Sequence, residues 1–182
     1  GYVQINEDVV LNKAKAGVFK ALADSGFIDG QTIKVVDNNA QGDLSMIITI
    51  LQSLQSRGVD MIITNSTPCM VAAAQTVRDI PVVFTVAFSP EQVGLKATST
   101  NLHGIYDPLD SKGFADMILE IRPGIKRIGI PFNNAEPNAE YSAIKFTKEF
   151  EGRGIEVVKS TVTSVNDIVM VGQNLVAQKI DA

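Results

Sequence analysis

Two side chains that carry much of enzyme and metal chemistry are nearly missing from this chain: it holds one cysteine, Cys69, and one histidine, His103. A single cysteine excludes an intramolecular disulfide and any CxxC or Cys/His metal cluster, and leaves the redox compartment open. A single histidine removes most catalytic triads and every multi-histidine metal site. Positive charge is not in excess either, since 16 Lys and Arg stand against 20 Asp and Glu, a net charge of −4. Without a basic excess to hold a phosphate backbone, nucleic acid is set aside as a partner. Apolar runs are short: none reaches the roughly 18 residues of a membrane span, and residues 61–64 and 81–87 are only strand-sized. No leader pattern opens this stretch, which leaves export open, and no solenoid-length repeat or low-complexity segment interrupts it.

What remains is a chain of 182 residues, 45% hydrophobic and 20% charged, compatible with one full domain plus part of a second. Gly1-Tyr2-Val3-Gln4-Ile5 reads as the second half of a strand, and Lys179-Ile180-Asp181-Ala182 as the first residues of another. Both ends are therefore expected to be boundaries within a longer protein, with any export or lipoprotein signal outside this stretch.

Apolar runs bounded by turn residues alternate with longer segments of helical period, the pattern of repeated βα units feeding a parallel sheet. Seven strands are predicted, over residues 2–5, 32–37, 61–64, 82–86, 103–106, 127–131 and 156–161. Helices are predicted over residues 9–25, 43–57, 68–77, 111–121, 137–152 and 165–178, with a short turn after Pro90. Glycines 26, 58, 124, 152 and 154 stand at helix exits. Asp43, Thr67 and Ser89 are placed as caps, and Pro68, Pro90 and Pro137 occupy first-turn positions. The least periodic stretch is 96–110, which places a lobe boundary there: an N-terminal five-stranded lobe over 1–106 and a partial C-terminal lobe over 107–182.

In open parallel sheets ligands bind beyond the carboxyl ends of the strands, where helix N-termini point their free N–H groups. Five polar loops fall there: Asn6-Glu7-Asp8, residues 38–43, Asn65-Ser66-Thr67-Pro68, Phe88-Ser89-Pro90 and residues 133–138. Hydroxyls and backbone N–H groups converge around Ser66 and Thr67, which suits a carboxylate; capping of their own helix explains the same residues. Asp43 reads as a cap and Gly42 as a turn. The amides of residues 133–138 suit a clamp on a polar small molecule. Phe88 either stacks on a ligand ring or buries itself in the core, and Tyr106 and Phe132 carry the same alternatives. Cys69 invites a nucleophile reading because helix N-termini lower thiol pKa, but within a Met/Val/Ala-rich helix it reads as a small buried hydrophobe. His103 reads as structural. Glu7 and Asp8 could pair with a ligand amine or form a solvated loop.

Taken together, Asn39-Ala40-Gln41-Gly42-Asp43, Ser66-Thr67-Pro68, Ile80-Pro81-Val82-Val83-Phe84-Thr85, Asn101-Leu102-His103-Gly104 and Asn133-Asn134-Ala135-Glu136-Pro137-Asn138 resemble one family. It is the ABC-transporter substrate-binding proteins related to tryptophan- and tyrosine-binding lipoproteins, of type I periplasmic-binding-protein fold; Phe27-Ile28-Asp29-Gly30 is similar to the family's turn before its second strand. The resemblance implies an α/β protein of two Rossmann-like lobes with parallel sheets, the second incomplete in this chain. It implies an extracytoplasmic solute-binding component of an uptake transporter, periplasmic or on the cell surface, that closes on an amino acid, aromatic ones included, or on a similar small molecule in the cleft between the lobes. The implied partner is an ABC permease, and any membrane contact goes through a lipid anchor outside this chain. No reaction, cofactor or metal is implied. Carried over by position, Gln41, Ser66, Thr67, Asn133 and Glu136 fall in the matching cleft loops, with Gln4 and Glu7 in a loop near the cleft; Phe88 and Ser89 complete the expected ligand-binding set. Departures stand at Ser89, where the family often has Asp, at Ala139 (Ser) and at Asp8-Val9 (His-Pro), and they bear on ligand identity.

The competing reading is an aspartate/glutamate-racemase-like enzyme, because Asn65-Ser66-Thr67-Pro68-Cys69 superficially resembles that enzyme's Cys-containing loop. Such chemistry needs a cysteine from each domain, and this chain has one. The effector lobe of a transcription regulator shares the type I fold, and the family motifs quoted above argue against it.

Overall fold

A computed structural model describes residues 1–95 and 101–182. The chain divides into two compact units, Gly1–Asp107 and Pro108–Ala182. The segment 96–110 singled out above as least periodic falls partly, at 96–100, outside the described residues.

In the first unit, strands β1 (Tyr2–Gln4), β2 (Asp37–Asn39), β3 (Ile62–Asn65), β4 (Val82–Ala87) and β5 (Leu102–Tyr106) form one sheet in the order β2-β1-β3-β4-β5. All four pairings are parallel. Helices α1 (Val9–Asp24), α2 (Leu44–Ser56) and α3 (Thr67–Thr76) connect them, and a short 3-10 turn at Pro90–Val93 follows β4. Alternation along the strands sends Val3, Ile62 and Val82 to one face, where Ile47, Ile50, Leu51 and Leu54 of α2 and Cys69, Ala73 and Val77 of α3 and its exit cover them. Tyr2 turns to the opposite face, beside Phe19 of α1 with ring centroids 5.3 Å apart.

β2 is displaced from its expected position. Residues 32–36 have strand composition, yet their neighbourhood is tied into a local turn: Gly30 N–H donates to Ile33 O, Ile28 N–H to Thr32 Oγ1, Thr32 Oγ1 to Gly26 O and Val35 N–H to Asp29 Oδ1. β2 is an edge strand whose one neighbour is β1, and Tyr2 N–H bonds Val36 O at 2.9 Å. The ladder therefore falls on the polar Asp37–Asn39. Between β4 and β5 the register shifts past Phe84, with Val86 at φ +50°. Gly104 sits opposite, where an added Cβ would lie 2.2 Å from Phe84 O, so no side chain fits at that crossing.

In the second unit, β6 (Arg127–Phe132) and β7 (Glu156–Thr161) pair in parallel. On one side Ile128 packs with Ala115, Ile125, Phe150 and Ile155, between helices α4 (Ser111–Ile121) and α5 (Pro137–Glu151). On the other, Val171 and Leu175 of α6 (Ile168–Ala177) pack with Val158, Val162 and Ile180. The predicted final helix is split, its first residues Val165–Asp167 forming a 3-10 turn. Asp181 N–H donates to Arg127 O and Gly129 N–H to Ala182 O, both at 2.8 Å, so the last residues lie along β6.

Candidate ligand-binding site

From β1 the chain steps to β2 on one side and, from β3 onward, to the other, so the order reverses between β1 and β3. Ligands of open α/β sheets sit in the crevice beyond the carboxyl ends at such a reversal. The register brings Asn39, Gln4, Asn65 and Thr85 into one row across β2, β1, β3 and β4. Three strand spacings of about 4.8 Å make that row about 14 Å wide. Directly beyond it stand Gln41, residues 6–8, Ser66-Thr67 and Phe88-Ser89. The expected first-unit site residues thus share one sheet edge, while Asn133 and Glu136 stand at the carboxyl end of β6 in the other unit.

Ser66 is the centre of this edge. It occupies the cap position of α3, which corrects the expectation that Thr67 does; Thr67 is the first helical residue. Its backbone, at φ +126° and ψ +158°, lies in a region essentially reserved for glycine. A cap in the usual extended conformation turns its side-chain oxygen onto the N–H groups of its own first turn. Ser66 makes no such bond. Its residue is 6% exposed, and among the described residues Oγ has no hydrogen-bond partner. Cys69 lies near enough for the Ser66 hydroxyl to favour its thiolate, but the pair does not meet hydrogen-bond geometry and a thiol is a weak partner in any case. Pro68 has no N–H, and the first N–H groups of a helix have no partner within it, so those of Thr67 and Cys69 face outward along the axis. Capping is therefore not what Ser66 does here. Thr67, 4% exposed, accepts a bond from Phe88 N–H on Oγ1 at 3.1 Å and ties the ends of β3 and β4 together.

Strain recurs along the same edge. Besides Ser66, Gln41 (φ +54°) and Val86 (φ +50°) are non-glycine residues with positive φ, one beyond β2 and one inside β4. For β-branched Val86 this is a pronounced outlier, and such residues cluster at ligand sites where surrounding structure over-determines them. Gln41 is exposed, with its N–H on Asn39 Oδ1 at 2.7 Å.

Other expected contacts are engaged internally. Asp8 caps α1, its Oδ1 accepting from Val10 and Leu11 N–H at 2.7 and 3.2 Å. Glu7 accepts from Asn39 Nδ2 at 2.7 Å. Asp43 is the cap of α2 that its type predicts, accepting from Ser45 N–H and Oγ–H, and these bonds lower its carboxyl pKa. Ser89 closes a capping box with Gln92. Phe88 is half-buried. In the second unit Asn133 Nδ2 donates to Glu136 Oε1 at 3.0 Å and its Oδ1 accepts from Ala135 N–H, so this pair is pre-set; beside it Asn138 Oδ1 is buried without a partner among the described residues.

A buried polar network beneath Ser66 was not anticipated. Asn65 Nδ2 donates to Tyr2 OH (2.6 Å), Leu11 O (2.9 Å) and Gln4 Oε1 (3.1 Å), and Gln4 Nε2 donates to Asn6 O and Asn12 Oδ1 at 2.6 and 2.8 Å. Tyr2, Gln4 and Asn65 are each no more than 1% exposed. Burial pushes the Tyr2 hydroxyl pKa up. The available signal was Gln4 itself, a polar residue at an inward position of an alternating strand. Cys69 is fully buried and burial pushes its thiol up to about 11, as suits a packed hydrophobe rather than a thiolate. Among the described residues, no group of His, Cys, Asp and Glu could hold a metal ion, and no helix is long and apolar enough to cross a membrane.

A protein from Clostridioides difficile (strain R20291) described as a tyrosine-binding protein is 30% identical over 185 residues, covering 100% of this chain and 53% of its own length. A conserved domain protein from Vibrio cholerae O1 biovar eltor has the same fold with TM-score 0.91 at 25% identity, over 99% of this chain and 62% of that one. An ABC domain from Streptococcus pneumoniae, solved in complex with L-Trp, has TM-score 0.89 at 24% identity, over 100% and 62%. The chain thus spans about half the length of the curated relative it matches. Residues 2–182 match the family described as ABC transporter substrate binding protein, and the chain, with its doubly wound parallel sheet, belongs to that family.

Proposed function

We propose that the intact protein is the solute receptor of an ABC importer, that it works outside the cytoplasm, and that its cargo is an amino acid held by its carboxylate at the start of α3. The observation that carries this reading is Ser66, buried, without a hydrogen-bond partner among the described residues and set at a glycine-type backbone angle on an uncapped helix end. A carboxylate there accepts from Ser66 Oγ–H and from the outward N–H groups of Thr67 and Cys69, and meets the positive end of the helix dipole. Bonds of this charge-assisted kind contribute about 1.5–3 kcal/mol each.

Aromatic amino acids are the first candidates. A tyrosine-binding relative and an L-Trp-bound neighbour support this, and half-buried Phe88 beside Thr67 offers a ring surface. Gln41 is the proposed polar contact from beyond β2. Asn133 and Glu136 are proposed as ligand contacts from the second unit, with their mutual bond holding the carboxylate and amide in place. Residues 1–106 and 107–182 are proposed as the two lobes, a membrane permease as the partner, and a lipid anchor as the link to the membrane. The racemase alternative is disfavoured by Cys69, whose burial and raised pKa deprive it of thiolate character.

The test is isothermal titration of the intact protein, refolded from denaturant to strip carried-over ligand, against the common amino acids. Micromolar or tighter binding of one of them, about −8 kcal/mol, is expected. No heat across the set overturns the assignment of cargo.

A further inference from the structure

We propose that the buried Tyr2-Gln4-Asn65 network is a positioning device: it holds Ser66 in its glycine-type conformation and so keeps the first turn of α3 uncapped for the ligand. This rests on the reading of α3 as the carboxylate site.

Ser66 lies between two immobilised peptide planes. On its amino side, the Asn65 side chain is bonded to β1 through Tyr2 OH and Gln4 Oε1 and to α1 through Leu11 O, while Ser66 N–H donates to Thr85 O at 3.2 Å. Gln4 in turn holds Asn6 O and Asn12 Oδ1, so β1, its exit loop and α1 move as one body. On its carboxyl side, Ser66 O accepts from Met70 N–H at 3.1 Å, and Thr67 Oγ1 accepts from Phe88 N–H. Neither plane can rotate without breaking bonds inside the core, where each lost partner leaves a buried polar group unsatisfied. The misfit is therefore concentrated in the single residue between them, as strained residues require of their surroundings. A serine free to relax to extended angles would turn Oγ onto its own helix and compete with a ligand for the same N–H groups. Asn65 touches no part of the outward face; it acts through residue 66.

Thermal unfolding of the intact protein without ligand reads the strain directly. Ser66→Gly removes it, because glycine tolerates these angles, and should raise the midpoint by about 1–3 °C above that of Ser66→Ala, which loses the same hydroxyl and keeps the angles. In an Asn65→Ala or Tyr2→Phe background residue 66 is free to relax, and the same change should raise the midpoint little or lower it. Tyr2→Phe keeps the ring in the core and decides the matter if Asn65→Ala does not fold. Equal shifts in all backgrounds would show that the network packs the core without holding Ser66, and would overturn the proposal. Calorimetry with L-tyrosine as the probe supplies the second arm. Tyr2→Phe should weaken binding roughly threefold or more in the wild-type background and not further once Ser66→Ala is present. Full weakening by Tyr2→Phe in both backgrounds also overturns the proposal. An unchanged affinity in Ser66→Ala alone overturns instead the carboxylate reading, and with it the ligand-directed half of the proposal, while the thermal cycle still decides whether the network holds Ser66.

Discussion

Ser66→Ala separates a ligand-binding serine from a capping one by the sign of its effects. Replacing a serine that caps its helix costs about 1 kcal/mol of stability. Here no cap bond exists to lose, and a buried hydroxyl without a partner is itself unfavourable by about 1–3 kcal/mol. Alanine keeps the backbone strain and removes the unsatisfied oxygen, so the ligand-free protein should gain about 1 kcal/mol, a rise of about 1–3 °C in melting midpoint. Binding should move the other way. Loss of one hydrogen bond to a carboxylate, about 1.5–3 kcal/mol, weakens affinity by roughly 10- to 150-fold. Scanning calorimetry and ligand titration on the same preparation read both. A destabilised variant with unchanged affinity would make Ser66 an ordinary cap and refute the reasoning.

Asp8→Ala removes two cap bonds from α1 and should cost about 1 kcal/mol in denaturant unfolding while leaving amino-acid affinity unchanged, since Asp8 faces its own helix. Gly104→Ala forces a Cβ against Phe84 O and should destabilise the first unit by about 2 kcal/mol or more, seen as lost hydrogen-exchange protection in β4 and β5. The Cys69 thiol stays protonated in the folded chain up to about pH 11, whereas the unfolded chain releases that proton near 9.0. Above pH 9 the unfolded state binds fewer protons, so stability falls with rising pH through that window, and the raised Tyr2 pKa adds to the fall at still higher pH. Cys69→Ala should flatten the slope between pH 9 and 11 in unfolding scans; an unchanged slope would contradict the burial of this thiol.

Most of the fold was legible because its strands carry their own punctuation. β3, β4, β6 and β7 are short runs with a punctuating residue at or near one end, Asn65, Pro81, Asn133 and Gly154, and they fall within a residue or so of their expected limits. β2 was not, because strand composition at residues 32–36 is overruled by a turn that engages their neighbours. The site was legible as a set of loops but not as a mechanism. Asp8 and Ser89 are types suited to capping as well as to binding, and the cap bonds that each makes are visible only in the structure. Asn65 looked like a loop residue because β3 runs one position further than its apolar run, which turns that amide into the core. The positive φ of Ser66, Gln41 and Val86 leaves no trace in residue type, since none of the three is a glycine.

The most direct test of the central claim is to follow the backbone amides of Thr67 and Cys69 by nuclear magnetic resonance while the intact protein is titrated with L-tyrosine, L-tryptophan and the remaining amino acids. Saturable binding tighter than about 10 μM that shifts both amides is the predicted result. Binding that leaves these two amides unmoved, or no binding by any amino acid, would contradict it.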